Sequence, residues 1–219
     1  MRIGLICCAA LAGDVRRIAR RRGWNAQVIT VPAQDHLFPA RIAPDVERRI
    51  RAHGGRFDRL AVVYGECGTN GALDEVLGHY GLRRPEVENC YQMYAGPLYR
   101  ELLDEELGTF FLTDFLVRTF RRAVIEGLGL DRFPELKEEY FHNCRRVVYL
   151  AQRRSRRLVA EAEAIAAFME RPLEVRYTGT VHLERAIDEL VFLEEHRFGL
   201  PPYRTTCAGR SVLGGMLFG

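Results

Sequence analysis

Short apolar runs and longer amphipathic stretches take turns along residues 1–81, and their order predicts alternating strands and helices. Residues 2–8 are apolar nearly throughout and end in small side chains, the pattern of a strand buried on both faces. Residues 12–22 bring Val15, Ile18 and Ala19 to one face and stop at Gly23, which predicts a helix. Residues 25–31 read as a second strand. Residues 44–53 read as a second helix, with Pro44 in its first turn and Gly54-Gly55 behind it. A third strand at 60–64 and a third helix at 72–80, closed by Gly81, complete the series.

Beyond residue 81 the rhythm loosens. A short strand is expected to reach Cys90, a helix to cover 97–106, and residues 109–115 to form a strand or an aromatic-rich loop. Helices are expected at 116–126, 134–142, 154–169 and 183–193, with strands at 147–151 and 173–177. Strands alternating with helices predict an α/β, Rossmann-like fold in three layers, a mainly parallel sheet flanked by helices. Strands near 2–8, 26–31, 60–64 and 147–151 are expected to share that sheet. Residues 1–200 read as a single domain and 201–219 as an irregular tail. Two pseudo-repeated halves, 1–107 and 108–200, are suggested by a parallel between two loops. Tyr64-Gly65-Glu66-Cys67-Gly68-Thr69 leads into Leu73-Asp74-Glu75 much as Tyr177-Thr178-Gly179-Thr180 leads into Leu183-Glu184-Arg185.

Composition narrows the function classes. With 219 residues, 47% of them hydrophobic and 28% charged, the chain has an ordinary globular balance. The net charge of +3 is mild, and Lys137 is the only lysine, so arginine carries the positive charge. Clusters such as Arg20-Arg21-Arg22 lie among helix formers and acids, without zinc-finger spacing or interleaved aromatics, and no nucleic-acid partner is expected. The apolar run after Met1 is too short for a signal peptide or a membrane span, so a cytoplasmic location without membrane association is expected. In that compartment the six cysteines read as thiols or ligands rather than disulfides.

Three of those cysteines, Cys8, Cys67 and Cys90, fall where predicted strands end. In an open α/β sheet the carboxyl ends of the strands form the ligand crevice, so residues distant in sequence can meet there. Cys8 and Cys90, each taken alone, read as core residues. Together with Cys67 they suggest three thiolate ligands for zinc with an open fourth position, or for an iron–sulfur cluster. His36, in Asp35-His36-Leu37-Phe38-Pro39, is the candidate fourth metal ligand. The loop Tyr64-Gly65-Glu66-Cys67-Gly68-Thr69-Asn70-Gly71 lacks the spacing of a nucleotide motif. Its free N–H groups at a helix start are expected to attract anions and to lower the Cys67 pKa. Gly68, Thr69 and Asn70, with Thr113, are the candidates for contacting a bound cofactor. Cys67, Asp114 and Arg118 are the catalytic candidates, although Asp114 and Arg118 also read as a helix N-cap and its partner one turn on. Cys7, Cys144, Cys207 and the remaining histidines read as structural.

Several of these stretches together resemble the domain-of-unknown-function family 1638: Cys8-Ala9-Ala10-Leu11-Ala12, His36-Leu37-Phe38-Pro39, Tyr64-Gly65-Glu66-Cys67-Gly68, Cys90 with its neighbours, and Gly108-Thr109-Phe110-Phe111-Leu112-Thr113. The family pattern tends to carry His-Asp before the third cysteine, where this chain has Glu88-Asn89. The resemblance implies a setting beside corrinoid and folate one-carbon methyltransferases, with a small-molecule substrate and a corrinoid or methyltransferase protein as partner. The expectation is therefore a metalloprotein in methyl-transfer chemistry. Two alternatives stay open: a metal-free enzyme with Cys67 as nucleophile, and a non-enzymatic metal carrier or accessory protein. The choice between zinc and an iron–sulfur cluster, and the oligomeric state, also stay open.

Overall fold

The structure, a computed structural model, describes residues 1–192. Strand β1 (Arg2–Cys8) is followed by α1 (Ala12–Arg21), β2 (Asn25–Val31), α2 (Ile42–His53), β3 (Arg59–Val63) and α3 (Ala72–His79). Two short 3₁₀ turns, Ala33–Leu37 and Pro39–Arg41, join β2 to α2. The three strands form a parallel sheet in the order β2-β1-β3. As the middle strand, β1 is buried from Ile3 to Cys8, which is why it reads as a continuous apolar run rather than an alternating one.

The chain then makes two short helices, α4 (Cys90–Ala95) and α5 (Leu98–Glu105), before a second sheet. That sheet holds β4 (Thr109–Thr113), β5 (Arg146–Ala151) and β6 (Leu173–Tyr177), again parallel, in the order β4-β5-β6. Between them run α6 (Asp114–Phe120), extended by the π-helical residues Arg121–Glu126, then α7 (Leu136–Phe141) and α8 (Arg156–Met169). Along β5 the pleat sorts the side chains: Val147, Tyr149 and Ala151 pack with Val117, Phe120 and Leu158, whereas Val148 and Leu150 pack with Ala95, Tyr99 and Leu102. The second sheet is thus sandwiched between α6 and α8 on one side and α4 and α5 on the other.

The parallel α/β architecture is the expected one, and residues 147–151 form the middle strand of the second sheet rather than joining β1–β3. Residues 87–90 form no strand: Cys90 begins a helix. The final helix, α9 (Val181–Phe192), returns to the first half and buries Leu183, Ile187 and Val191 in its core against β3. Each such side chain contributes about 2 kcal/mol of transfer free energy. No helix of the described residues is long and apolar enough to cross a membrane. The expected irregular tail at 201–219 lies outside the described residues.

Glu184 fastens α9 to α1. Its carboxylate meets Arg21 and Arg22 and accepts from the Thr180 hydroxyl at 2.6 Å, while Arg22 also reaches Asp188 at 2.6 Å. Burial works against the charge, but these partners outweigh it and hold the Glu184 carboxyl below its ordinary value of 4.5. A depressed carboxyl stabilises the fold above its unfolded pKa and loses that contribution as pH falls through the folded value. Glu184→Gln is expected to cost about 1 kcal/mol at pH 7. In denaturant titrations the two proteins should begin to approach each other as pH falls below the ordinary glutamate value and converge only below the depressed value of folded Glu184.

Candidate functional site

Cys8 closes β1 and is 2% exposed. Its predecessor Cys7 lies opposite Val63 in the parallel register of β1 and β3, so the next step of the register sets Cys8 beside Tyr64. The Cys8 sulfur accepts the Ala10 N–H at 3.4 Å. Cys7 points to the other side of the sheet and is fully buried in the core.

Past Tyr64 the chain meets the segment that leads into α4. The N–H of Glu66 donates to Val87 O at 2.9 Å, and that of Cys67 to Glu88 O at 2.6 Å. The contact is so close at Gly65 that a Cβ there would lie 2.7 Å from Asn89 Cα, and only glycine fits. Cys67 itself adopts the left-handed region at φ 53°, costly for a side chain with a Cβ and of a kind that gathers at functional sites. Asn89 caps α4, accepting the Gln92 N–H on its side chain, while the Gln92 side chain accepts the Glu88 N–H. The half-buried Cys67 and Cys90 are therefore placed by two backbones tied to each other.

The three thiols are electrostatic neighbours. Burial is the larger cause that raises each pKa, and the other thiols add to it at Cys67 and Cys90: Cys8 is pushed to about 11, Cys67 to about 12, and Cys90 well above its ordinary value. All three are neutral at physiological pH. The expected lowering of the Cys67 pKa is thus corrected. The physical reason is burial first and the neighbouring Cys8 second, and Glu66 adds to them: its carboxylate accepts the Gly68 N–H at 2.7 Å, the Thr69 hydroxyl at 2.9 Å and the Gly71 N–H at 3.4 Å. The loop's donors are occupied by the chain's own anion. Gly68 and Thr69, expected to contact a cofactor, serve Glu66, and Asn70 turns the loop at φ 50°.

Tyr64 and Asp35 also lie near Cys8, with His36 against Tyr64. The His36 ring is stacked on Tyr64, with centroids 5.8 Å apart and planes 12° from parallel, and its Nδ1 lies 3.0 Å from Ala33 O. Desolvation pushes the imidazole below its usual value, so it too is neutral. Asp35 is buried with Oδ2 unpartnered, and burial followed by the nearby Asp45 carboxyl raises its pKa. Tyr64 is 1% exposed, and its hydroxyl makes no well-formed hydrogen bond, with the Cys8 sulfur the acceptor within reach. Among the described residues, no group of three or more His, Cys, Asp or Glu side chains is arranged to hold a metal ion. The thiols are neighbours without being gathered into a ligand cage.

Asp114 and Arg118 stand apart from each other. Thr113 caps α6, accepting the Leu116 N–H, and Asp114 is its first residue, 1% exposed. The Asp114 carboxylate accepts from the Tyr149 hydroxyl at 2.7 Å, from Gln152 N–H at 3.0 Å and from Arg153 Nε at 3.0 Å, whereas Arg118 is exposed and outside this set. Sequence reasoning missed this group and its counterpart in the first half, where the Tyr94 hydroxyl donates to the buried Asp14 at 2.7 Å. The signal was there: Gln152 and Arg153 follow β5 directly, at the same strand-end position that singled out the cysteines. Tyr94 lies within electrostatic reach of both Cys90 and Asp114, so α4 stands between the thiols and the second half.

The family model described as Protein of unknown function (DUF1638) matches residues 30–187, and the chain belongs to that family. No curated protein and no solved structure matches the chain.

The Gly65 contact generates a prediction. Gly65→Ala forces the two backbones apart and is expected to destabilise the protein by about 2 kcal/mol. It should also free the start of α4, so Cys90 should react faster with a thiol reagent than in the wild type. Unfolding curves and thiol titration read the two effects separately.

Proposed function

We propose that this member of the DUF1638 family is a metalloprotein in which Cys8, Cys67 and Cys90 bind a thiophilic centre, zinc or an iron–sulfur cluster. The observation that carries the reading is the shared state of the three thiols. Cys8 raises the pKa of Cys67, both raise that of Cys90, and all three are buried enough to stay neutral. Three such groups repel as anions; a soft cation among them removes that repulsion and displaces their protons, which couples its binding to pH. His36 suits the fourth place: with Nδ1 donating to Ala33 O, its Nε2 carries the free lone pair. A centre held there would supply Lewis acidity or hold a substrate thiol as thiolate. Methyl transfer involving a corrinoid or another one-carbon carrier is the reaction class to test, with a methyltransferase as candidate partner.

The metal-free nucleophile reading asks for a Cys67 thiolate at neutral pH. A thiol pushed to about 12, beside a loop whose N–H groups already hold Glu66, lacks that activation.

The test is anaerobic purification followed by elemental analysis and an absorption spectrum. One zinc per chain, or iron with acid-labile sulfide and broad visible absorption, is expected. Cys8→Ser, Cys67→Ser and Cys90→Ser should each lose most of the bound metal, while Cys144→Ser, in the core of the second half, retains it. Wild-type protein that stays metal-free after reconstitution overturns the reading. Rapid alkylation of Cys67 at neutral pH in that protein would instead favour the nucleophile.

A further inference from the structure

Tyr64 poses a problem of chemistry. It is among the largest fully buried side chains, it belongs to the core of the first half, and its hydroxyl makes no well-formed hydrogen bond, only a poor contact with the Cys8 sulfur. Phenylalanine would fill the same volume without leaving a polar group unpaired. Tyr94 and Tyr149, equally buried, each find a carboxylate at 2.7 Å. The register of β1 and β3 sets Tyr64 next to Cys8 instead, and His36 stacked on the ring fixes its orientation. A neutral thiol is a weak acceptor; a thiolate is a strong one, because a charged acceptor roughly doubles the strength of the bond. The Cys8 sulfur is thus the acceptor at hand, and the contact strengthens once a metal takes that sulfur as a ligand.

We propose that Tyr64 is a positioning residue whose hydroxyl donates a hydrogen bond to the Cys8 sulfur when that sulfur ligates a metal, an inference that rests on the metal-site reading above. The bond holds the Cys8 side chain in one orientation and draws electron density from the sulfur. Hydrogen bonds to ligating atoms are among the main means by which a protein sets a metal's affinity and electronic character.

The experiment titrates the full-length protein with cobalt(II), whose sulfur-to-metal charge-transfer band reports on the ligating sulfurs. Tyr64→Phe should weaken cobalt binding on the order of 10-fold or more. Its charge-transfer band should move to lower energy, because the sulfur becomes a better donor. Its metal-free form should unfold at the same temperature as the wild type or higher, because an unpaired buried hydroxyl has been removed. Should that variant fold poorly, 3,5-difluorotyrosine at position 64 keeps the hydroxyl and sharpens it as a donor, and the band should move the other way. Unchanged affinity and band position in these proteins overturn the role of Tyr64 and leave the metal site standing. Wild-type protein that binds no cobalt overturns the metal site itself, and the role of Tyr64 with it.

Discussion

Where the chain passes Gly65 it lies against the backbone of Asn89, and two amide hydrogen bonds just beyond, from Glu66 and Cys67 to Val87 and Glu88, lock the passage. Three consequences follow from this one contact. It sets Cys67 beside Cys90. It fixes the start of α4, whose Met93 and Tyr94 belong to the first core while Ala95 belongs to the core formed with the second sheet. Through α4 it then positions the bend at Gly96, where a Cβ would stand 2.4 Å from the His182 ring of α9. A glycine with no side chain thus governs how the thiols and the two sheets are brought into relation.

The same loop decides the electrostatics. A strand that empties into a helix leaves free N–H groups, and an anion usually arrives there from outside. Here Glu66 folds back and fills the position, and the Glu66 carboxyl falls below its ordinary value although burial opposes it. The helix start therefore lends no positive potential to Cys67. Arg84 does favour the thiolate, but it is also engaged with Asp74 and with the carbonyls of Pro85 and Val87, and burial outweighs it. Three neutral sulfurs are the result, a state that disfavours nucleophilic attack and is compatible with later capture of a soft cation.

The strands were legible because a central parallel strand, covered on both faces, has no choice but to be apolar; β1 and β5 both show it. What cannot be read from such runs is which strands share a sheet, since parallel neighbours leave no register mark in the sequence, and β5 was accordingly grouped with β1–β3. The misreading of residues 87–90 has a different source. Asn89 followed by Gln92 has the spacing of a helix capping box, which names a helix start rather than a strand end. Of the three cysteines, Cys8 closes a strand and Cys67 lies in the loop after one, but Cys90 opens a helix. The Cys67 pKa was expected low because burial, the largest cause that raises it, leaves no mark in a loop sequence. The pairing of Tyr94 with Asp14 spans eighty positions and left no local trace at all.

Buried tyrosines connect these parts. Tyr149 and Tyr94 give their hydroxyls to Asp114 and Asp14, and Tyr99 receives the Asn89 amide at 2.8 Å. Tyr91 packs on Phe111 of β4, with ring centroids 5.6 Å apart, and lies within electrostatic reach of all three thiols. Carboxylates and amides satisfy a hydroxyl whatever is bound nearby, so those tyrosines act as fixed struts. Tyr64 faces sulfur instead, and among the described residues it is the one tyrosine whose buried hydroxyl makes no well-formed hydrogen bond. The contrast is one of acceptor chemistry rather than of burial. It places that hydroxyl just past the end of β3, beside Cys8, the buried thiol that closes β1.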